Sequence, residues 1–483
     1  MTPADPIADN AGKAFSLPRL VIAAPQGRSG KTTVSLGLCA ALSARGLAIQ
    51  PFKKGPDYID PSWLSQASGR PCRSLDSFFL PDPSDLRAAL IKGASQADFA
   101  LIEGNHGLYD SLEVDGLGST AAVARELQAP IILVINAARM SRSVAALVHG
   151  YQTFEPGTPL AGVILNYVAQ GRHETKMRQA IEHYCRLPVL GALPRDANLT
   201  IPDRHLGLIP HNEDERLAPA IQACRQAVEK YVEVEAVLQI ARSAPPLQTS
   251  PAHINIQQSQ SYTTPSPTGD HPKIGVIRDQ AFSFYYPENL EALQEQGAEL
   301  IIINSLQDSH LPDVNALYIG GGFPEVFLEA LSSNHSLLTD IRQAVDSGLP
   351  IYAECGGLMY LARSIKYQGR RLEMVGALPI EIEMTERAQG HGYVLAECAV
   401  ENPIFPIGAT LRGHEFHYSK ITKNDLPSMP RLRLLRGEGI GNYTDGLFYR
   451  NIFAGYTHLH AYGAPQWAAG LVAWASTYQR RSR

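Results

Sequence analysis

Disulfide spacing, a bilayer-length apolar run and an excess of basic charge are all missing from this 483-residue sequence. Its cysteines (Cys39, Cys72, Cys185, Cys224, Cys355, Cys398) form no C-x-x-C pair. That excludes a zinc ribbon, argues against a stapled scaffold, and makes a reducing cytoplasm the expected compartment. The longest apolar run, Ala129 to Ala138, is half the roughly 20 helical residues that a bilayer requires, so no membrane partner is expected. Lys and Arg number 42 against 47 Asp and Glu, a net charge of −5, which leaves no basic field to hold nucleic acid. No internal repeat is found. Residues 1–17 lack a basic end followed by an apolar stretch, so they read as a frayed tail rather than a signal peptide.

What is present is an ordinary globular balance, 45% hydrophobic and 18% charged, in a chain long enough for two or three compact units at roughly 150 residues each. Residues 241–272 concentrate Pro, Ser, Thr and Gln and read as a linker. Before it, short runs apolar at every position alternate with helical patterns: RLVIAA (19–24), FALIEG (99–104), PIILVIN (130–136) and LAGVILN (160–166). Strands buried on both faces have that composition, so the first domain, 18–240, is expected to be an α/β layer structure on a parallel sheet. After the linker the rhythm restarts with KIGVIRD, ELIIIN, ALYIGGG and PIYAECGG, predicting a second α/β domain over 273–480. From about Gly376 to Tyr462 the Gly, Tyr and His content predicts strands joined by turns.

The first strand runs into Pro25-Gln-Gly-Arg-Ser-Gly-Lys-Thr-Thr33 and then the helical SLGLCAALSARG. In a strand, loop and helix of this kind, backbone N–H groups and the helix N-terminus surround phosphate oxygens. Gly27 and Gly30 permit close approach, and Ser29 and Thr33 line the loop. Lys31 reaches the β- and γ-phosphates, and Thr32 offers its hydroxyl to Mg²⁺. Pro25 stands where the usual G-x-x-x-x-G-K-[ST] pattern opens with Gly. Two further loops at strand ends carry PFKKGPDYIDP (51–61) and EGNHGLYD (103–110). Lys53 suits phosphate charge. Asp57, Tyr58, Asp60 and Asp110 are expected to meet substrate, with Asp57 and Glu103 joining Thr32 around the metal. Glu103 closes an apolar strand, where an unanswered charge is costly, so a cation or ligand should face it.

The strand PIYAE leads directly into Cys355-Gly-Gly and a helix. A nucleophile at so sharp a turn projects from the sheet, with backbone N–H groups beside it. Packing is the usual fate of a cysteine and is assigned to Cys39, Cys185, Cys224 and Cys398; the glycines after Cys355 reverse that expectation. The base is expected in Gly455-Tyr-Thr-His-Leu-His460, where alternation puts His458 and His460 on one face and the Tyr-x-His spacing favours His458. Gly321, Gly322 and Gly356 are the expected oxyanion donors.

With these motifs in hand, GRSGKTT, FKKGPDYIDP, EGNHGLYD, IGGGFPE, AECGG, GHEFHYS and YTHLH, in this order, the chain from about 18 to 480 resembles the cobyrinic acid a,c-diamide synthase family of glutamine-dependent amidotransferases. The resemblance implies a dethiobiotin-synthetase-like ATP domain followed by a flavodoxin-like class I glutaminase domain. It also implies a variant triad that lacks its acid, since His460 sits two beyond His458, leaving a Cys355/His458 dyad. ATP, Mg²⁺, glutamine and a tetrapyrrole polycarboxylate are the implied ligands, with ammonia passing along a closed path between two sites. Relatives of the same layout amidate sirohaem or nickel-sirohydrochlorin. Asn105, His106 and Ser111 depart from residues common in cobyrinate enzymes, which keeps those macrocycles open. Gln26 stands where Min/Par-type partitioning ATPases carry a second lysine, which counts against a regulatory P-loop ATPase with a degenerate glutaminase module. The sequence leaves oligomeric state open, a homodimer included.

Overall fold

A computed structural model describes residues 14–169, 171–199, 214–248, 271–427 and 429–481. The chain divides into two compact units, Met1–Ile254 and Asn255–Arg483. No helix among the described residues is long and apolar enough to cross a membrane.

The first unit is built on seven parallel strands: β1 (Arg19–Ala23), β2 (Ile49–Lys53), β3 (Arg73–Ser74), β4 (Phe99–Glu103), β5 (Ile131–Asn136), β6 (Leu160–Val168) and β7 (Val189–Pro194). Their order is β3-β2-β4-β1-β5-β6-β7. Every residue of β1, β2 and β4 is buried; β1 and β4 are accordingly apolar through their centres without alternation, while β2 carries Gln50 and Lys53, each with a hydrogen-bond partner. β2 begins earlier than the loop reading of 51–61 allowed: Pro51 lies inside it, opposite Leu101. Helix α1 (Lys31–Ser43) follows β1 through the phosphate-type loop.

The ends of this unit correct two boundaries. Ala14–Phe15 pairs antiparallel with Leu247–Gln248, and Leu17, Ala241 and Leu247 are all buried. Residues 14–17 are therefore not part of a frayed tail, and residues 241–248 belong to the first unit and not to a linker. Polar composition concealed this because only two apolar side chains in that stretch do the packing. The remainder of both segments lies outside the described residues. Arg19 fastens the arrangement. Fully buried, it donates from Nε to Leu127 O (2.7 Å), from Nη1 to Leu17 O (3.0 Å), and from Nη2 to Gln128 O and Pro245 O.

The second unit has a six-stranded sheet of β8 (Lys273–Ile277), β9 (Glu299–Ile303), β10 (Ala316–Ile319), β11 (Ile351–Glu354), β12 (Leu447–Tyr449) and β13 (Ile452–Gly455), ordered β9-β8-β10-β11-β13-β12. All neighbours are parallel except the closing β12–β13 hairpin. The Gly-rich stretch after residue 376 supplies strands, as its composition predicts. They include a five-stranded antiparallel sheet in which Thr410–His417 pairs with His458–Leu459.

Replacing Arg19 with Met leaves four carbonyls, two of them in buried hydrogen bonds, without their donor and should lower stability by about 3 kcal/mol, read as the urea midpoint of the full chain. A midpoint equal to that of the parent would refute this role for Arg19.

Candidate active site

In the first unit, the turn from β1 to α1 passes through Arg28 (φ 59°) and Gly30 (φ 101°), both left-handed. A Cβ on Gly30 would stand 2.1 Å from Asn166 Nδ2, so only glycine fits. Asn166, at the end of the β6 pairing with β5, donates to Ser29 O at 3.0 Å and so pins the loop from beneath. Ser29 Oγ donates to Gln26 O (3.0 Å), and Tyr151 OH donates to Pro25 O (2.9 Å), bracing the loop where the first glycine is missing. Gly27 has open space around it. Thr33 Oγ1 donates to Leu199 O at 3.4 Å.

Lys31 is buried and donates from Nζ to His106 O at 2.7 Å, a neutral acceptor on a left-handed residue (φ 47°). Burial pulls its pKa down to about 8, opposed by the charge of Glu103. Thr32 Oγ1 donates to Glu103 Oε1 at 2.9 Å. The cation that the sequence demanded for Glu103 is Lys53, 2.8 Å from Oε1 and also 2.6 Å from Asp60 and 3.8 Å from Asp57. The buried Lys53 ammonium is thus held by the carboxylates that neutralise it. Asp57 accepts Ile59 N–H (2.8 Å) at the start of α2 (Ile59–Ser68), just after Tyr58. Burial and the charge of Asp60 push its pKa up to about 7. Asp110 is exposed and accepts Gly107 N–H at 2.7 Å, which makes it first a brace of its own loop.

The fully buried Oε2 of Glu103 has no hydrogen-bond partner among the described residues. An oxygen left bare beside a threonine hydroxyl is a hard-donor pair that suits Mg²⁺. Among the described residues no three acidic, His or Cys side chains form a metal cluster. A cation here would therefore draw its other ligands from a bound nucleotide and water.

In the second unit, Cys355 joins β11 to α3 (Gly356–Leu361) at φ 47°, outside the range that side chains ordinarily adopt. Its own N–H donates to Gly455 O at 2.7 Å. Close packing holds the turn: a Cβ on Gly357 would lie 2.3 Å from Ile319 O, and one on Gly356 would lie 3.0 Å from Gly322 N. Gly321, the next residue of that loop, lies under His458, whose Cε1 would be 2.2 Å from an added Cβ. The glycine loop thus touches both the nucleophile turn and the His458 ring. His460 is turned elsewhere. Its Nδ1 accepts Tyr462 N–H (3.2 Å), its Nε2 is 3.8 Å from Glu288, and burial drives its pKa down to about 3. Burial also pushes the Cys355 thiol well up, with the nearby Glu325 charge adding, so the resting sulfur holds its proton. Glu325 itself is buried and pushed up to about 7.

Sequence reasoning missed Asn166, Glu325, Glu354 and His414. Asn166 could have been found as the polar residue closing an apolar strand, and Glu354 as a carboxylate ending another. His414 lies within GHEFHYS, where sequence reasoning gave it no role; it stacks on His458 with centroids 4.9 Å apart.

A phosphate loop with a lysine, threonine and carboxylate in one unit, and a thiol turn with a histidine in the other, define a nucleotide-dependent glutamine amidotransferase. The comparisons agree. A family model described as a CobQ/CobB/MinD/ParA nucleotide binding domain matches residues 20–209, and a CobB/CobQ-like glutamine amidotransferase domain matches 273–465. The cobyrinate a,c-diamide synthase of Magnetococcus marinus is 45% identical over 457 residues, covering 95% of this chain and 97% of its own. The enzymes of that name from Archaeoglobus fulgidus (43% over 447 residues; 92% and 95%) and Methanosarcina acetivorans (39% over 492 residues; 97% and 97%) are similar end to end. The chain belongs to the cobyrinate a,c-diamide synthase family.

Two predictions follow from these geometries. Nucleoside triphosphate affinity, measured by calorimetry, should be flat below pH 7.5 or so and fall as pH rises through about 8, because the protonated Lys31 is the form that binds phosphate. Lys31→Arg should abolish that pH dependence. Gly321→Ala should displace the His458 ring and slow glutamine hydrolysis by about 100-fold while leaving nucleotide affinity unchanged.

Proposed function

We propose that this protein amidates the a and c acetate carboxylates of cobyrinic or hydrogenobyrinic acid, using ATP and glutamine, as a step of cobalamin biosynthesis. The observation that carries the reading is the presence of both half-reactions' machinery on a chain matched over 95% of its length by a relative of that activity.

In the second unit, His458 takes the Cys355 proton as sulfur attacks the glutamine side-chain amide carbon. N–H groups of Gly321, Gly322 and Gly356 face the oxyanion that forms. The C–N bond breaks, nitrogen leaves as ammonia with the proton from His458, and a γ-glutamyl thioester remains for water to hydrolyse. In the first unit, Lys31 and the N–H groups from Gly27 to Thr33 hold the triphosphate. Asp57, Tyr58 and Asp60 orient the acetate. Thr32 and Glu103 are the residues to hold Mg²⁺, which when bound offsets phosphate charge. The carboxylate oxygen attacks the γ-phosphorus and ADP leaves. Ammonia then attacks the acyl phosphate carbon and inorganic phosphate departs. A free carboxylate would have to expel oxide, which is why the phosphoryl group is required.

Burial and the neighbouring Asp60 carboxylate make Asp57 titrate near neutrality, at about 7. Lys53 bridges Asp60 and Glu103 beside it.

Cys355→Ser should abolish glutamine-driven amidation and spare ammonia-driven amidation, while Lys31→Ala should remove both. The test is the mass of the product formed from cobyrinic acid with ATP and Mg²⁺. Two added amides are expected, and conversion of sirohaem in place of cobyrinic acid would overturn the substrate.

A further inference from the structure

A carboxylate faces His458 even though the position two residues beyond it is His460. Glu354 ends β11, is the direct neighbour of Cys355 and is 1% exposed. Its Oε1 accepts from Tyr352 OH at 2.8 Å and from Leu459 N–H at 3.1 Å, and its Oε2 accepts from Tyr318 OH at 3.3 Å. Oε2 lies 3.8 Å from His458 Nδ1. One side chain therefore grips the backbone just after the histidine and presents its charge to the ring.

Resting on the reading of Cys355 and His458 as the glutaminase pair, we propose that Glu354 is the positioning residue of His458. It keeps Nδ1 turned to the carboxylate, leaves Nε2 for the thiol proton, and stabilises the imidazolium that exists while sulfur is bonded to the glutamyl carbon. The acid of the triad is thus moved from the histidine strand to the nucleophile strand. Three independent donors hold the carboxylate in place, so it acts without reorganising when charge develops.

Other buried carboxylates nearby are committed elsewhere. Asp445 accepts Tyr456 N–H (3.1 Å), Thr457 N–H (2.8 Å) and Thr457 Oγ1 (2.6 Å), which shapes the chain before His458 and does not address its ring. Glu288 faces His460. The titratable groups around the Glu354–His458 pair are Tyr318 and Tyr352 on the carboxylate side, His414 stacked on the imidazole, and Cys355 with Glu325 behind it. Burial holds His414 far below its usual range, so it is neutral where the thiol reaction is measured and cannot supply the charge itself.

The test uses the full chain and two readouts: steady-state glutamine- and ammonia-driven amidation, and the pH profile of Cys355 alkylation by iodoacetamide, which needs no turnover. Glu354→Gln should lower glutamine kcat at least tenfold with KM within twofold of the parent. Ammonia-driven synthesis, which bypasses this site, is the control. The acidic limb of the alkylation profile should move to lower pH, because an imidazolium deprived of its carboxylate loses its proton more readily. Glu354→Asp keeps the charge and disturbs the hydroxyl donors least, so its acidic limb should match the parent even where its rate falls. An unchanged limb and kcat for Glu354→Gln, an Asp limb shifted as far as the Gln limb, or parallel loss of both amidations would each overturn the proposal. If Cys355→Ser retained glutamine use, the glutaminase reading itself would fall instead.

Discussion

Between a buried strand and the helix after it, the chain twice turns through the left-handed region, at Gly30 and at Cys355, and the chemistry of each unit depends on that turn. At Gly30 the requirement is space: Asn166 occupies the volume that any side chain would need. At Cys355 the requirement is to turn a buried side chain off the end of an internal strand, and an L-residue in this conformation costs about 1–2 kcal/mol. The surroundings hold it there through the bond from its N–H to Gly455 O and through two glycines packed against the loop from Ile319 to Gly322. A side chain at either glycine would collide with Ile319 O or crowd Gly322 N, and the turn could not keep this form.

Each unit also stores a group in a protonation state that its substrate must change. Burial weakens the charge of Lys31 until it titrates near 8, and in the proposed reaction arriving phosphates restore it. Burial keeps the thiol protonated, and in the proposed reaction His458 takes that proton as sulfur bonds to carbon. The carboxylates show the complementary logic. Glu103 is answered on one oxygen by Lys53 and Thr32 and left bare on the other, while Glu354 is ringed by tyrosine hydroxyls and a backbone N–H. In a low-dielectric interior a charge arranged in this way acts strongly on whatever enters beside it.

The parallel sheets were legible because full burial forces apolar runs such as LVIA and ALI, which no solvent-facing strand would carry. The two turns were legible because glycine and a reactive side chain directly after such a run have few structural uses. Lys53 was legible as a charge but not as a partner. Its place against Glu103 and Asp60 comes from β2 lying beside β4, a pairing across some 50 residues of chain. The segment 241–248 misled by composition, since two buried apolar residues among prolines and polar groups leave no periodic trace.

By itself the sequence determined the two strand-turn-helix sites, their order and the type of chemistry each residue set can perform, because those depend on neighbours within one loop. Tertiary structure alone decided which histidine borders the glycine loop, which cation answers Glu103, and which carboxylate faces His458. Those outcomes are set by side chains that meet across strands far apart in the chain, where spacing along the sequence carries no information about distance.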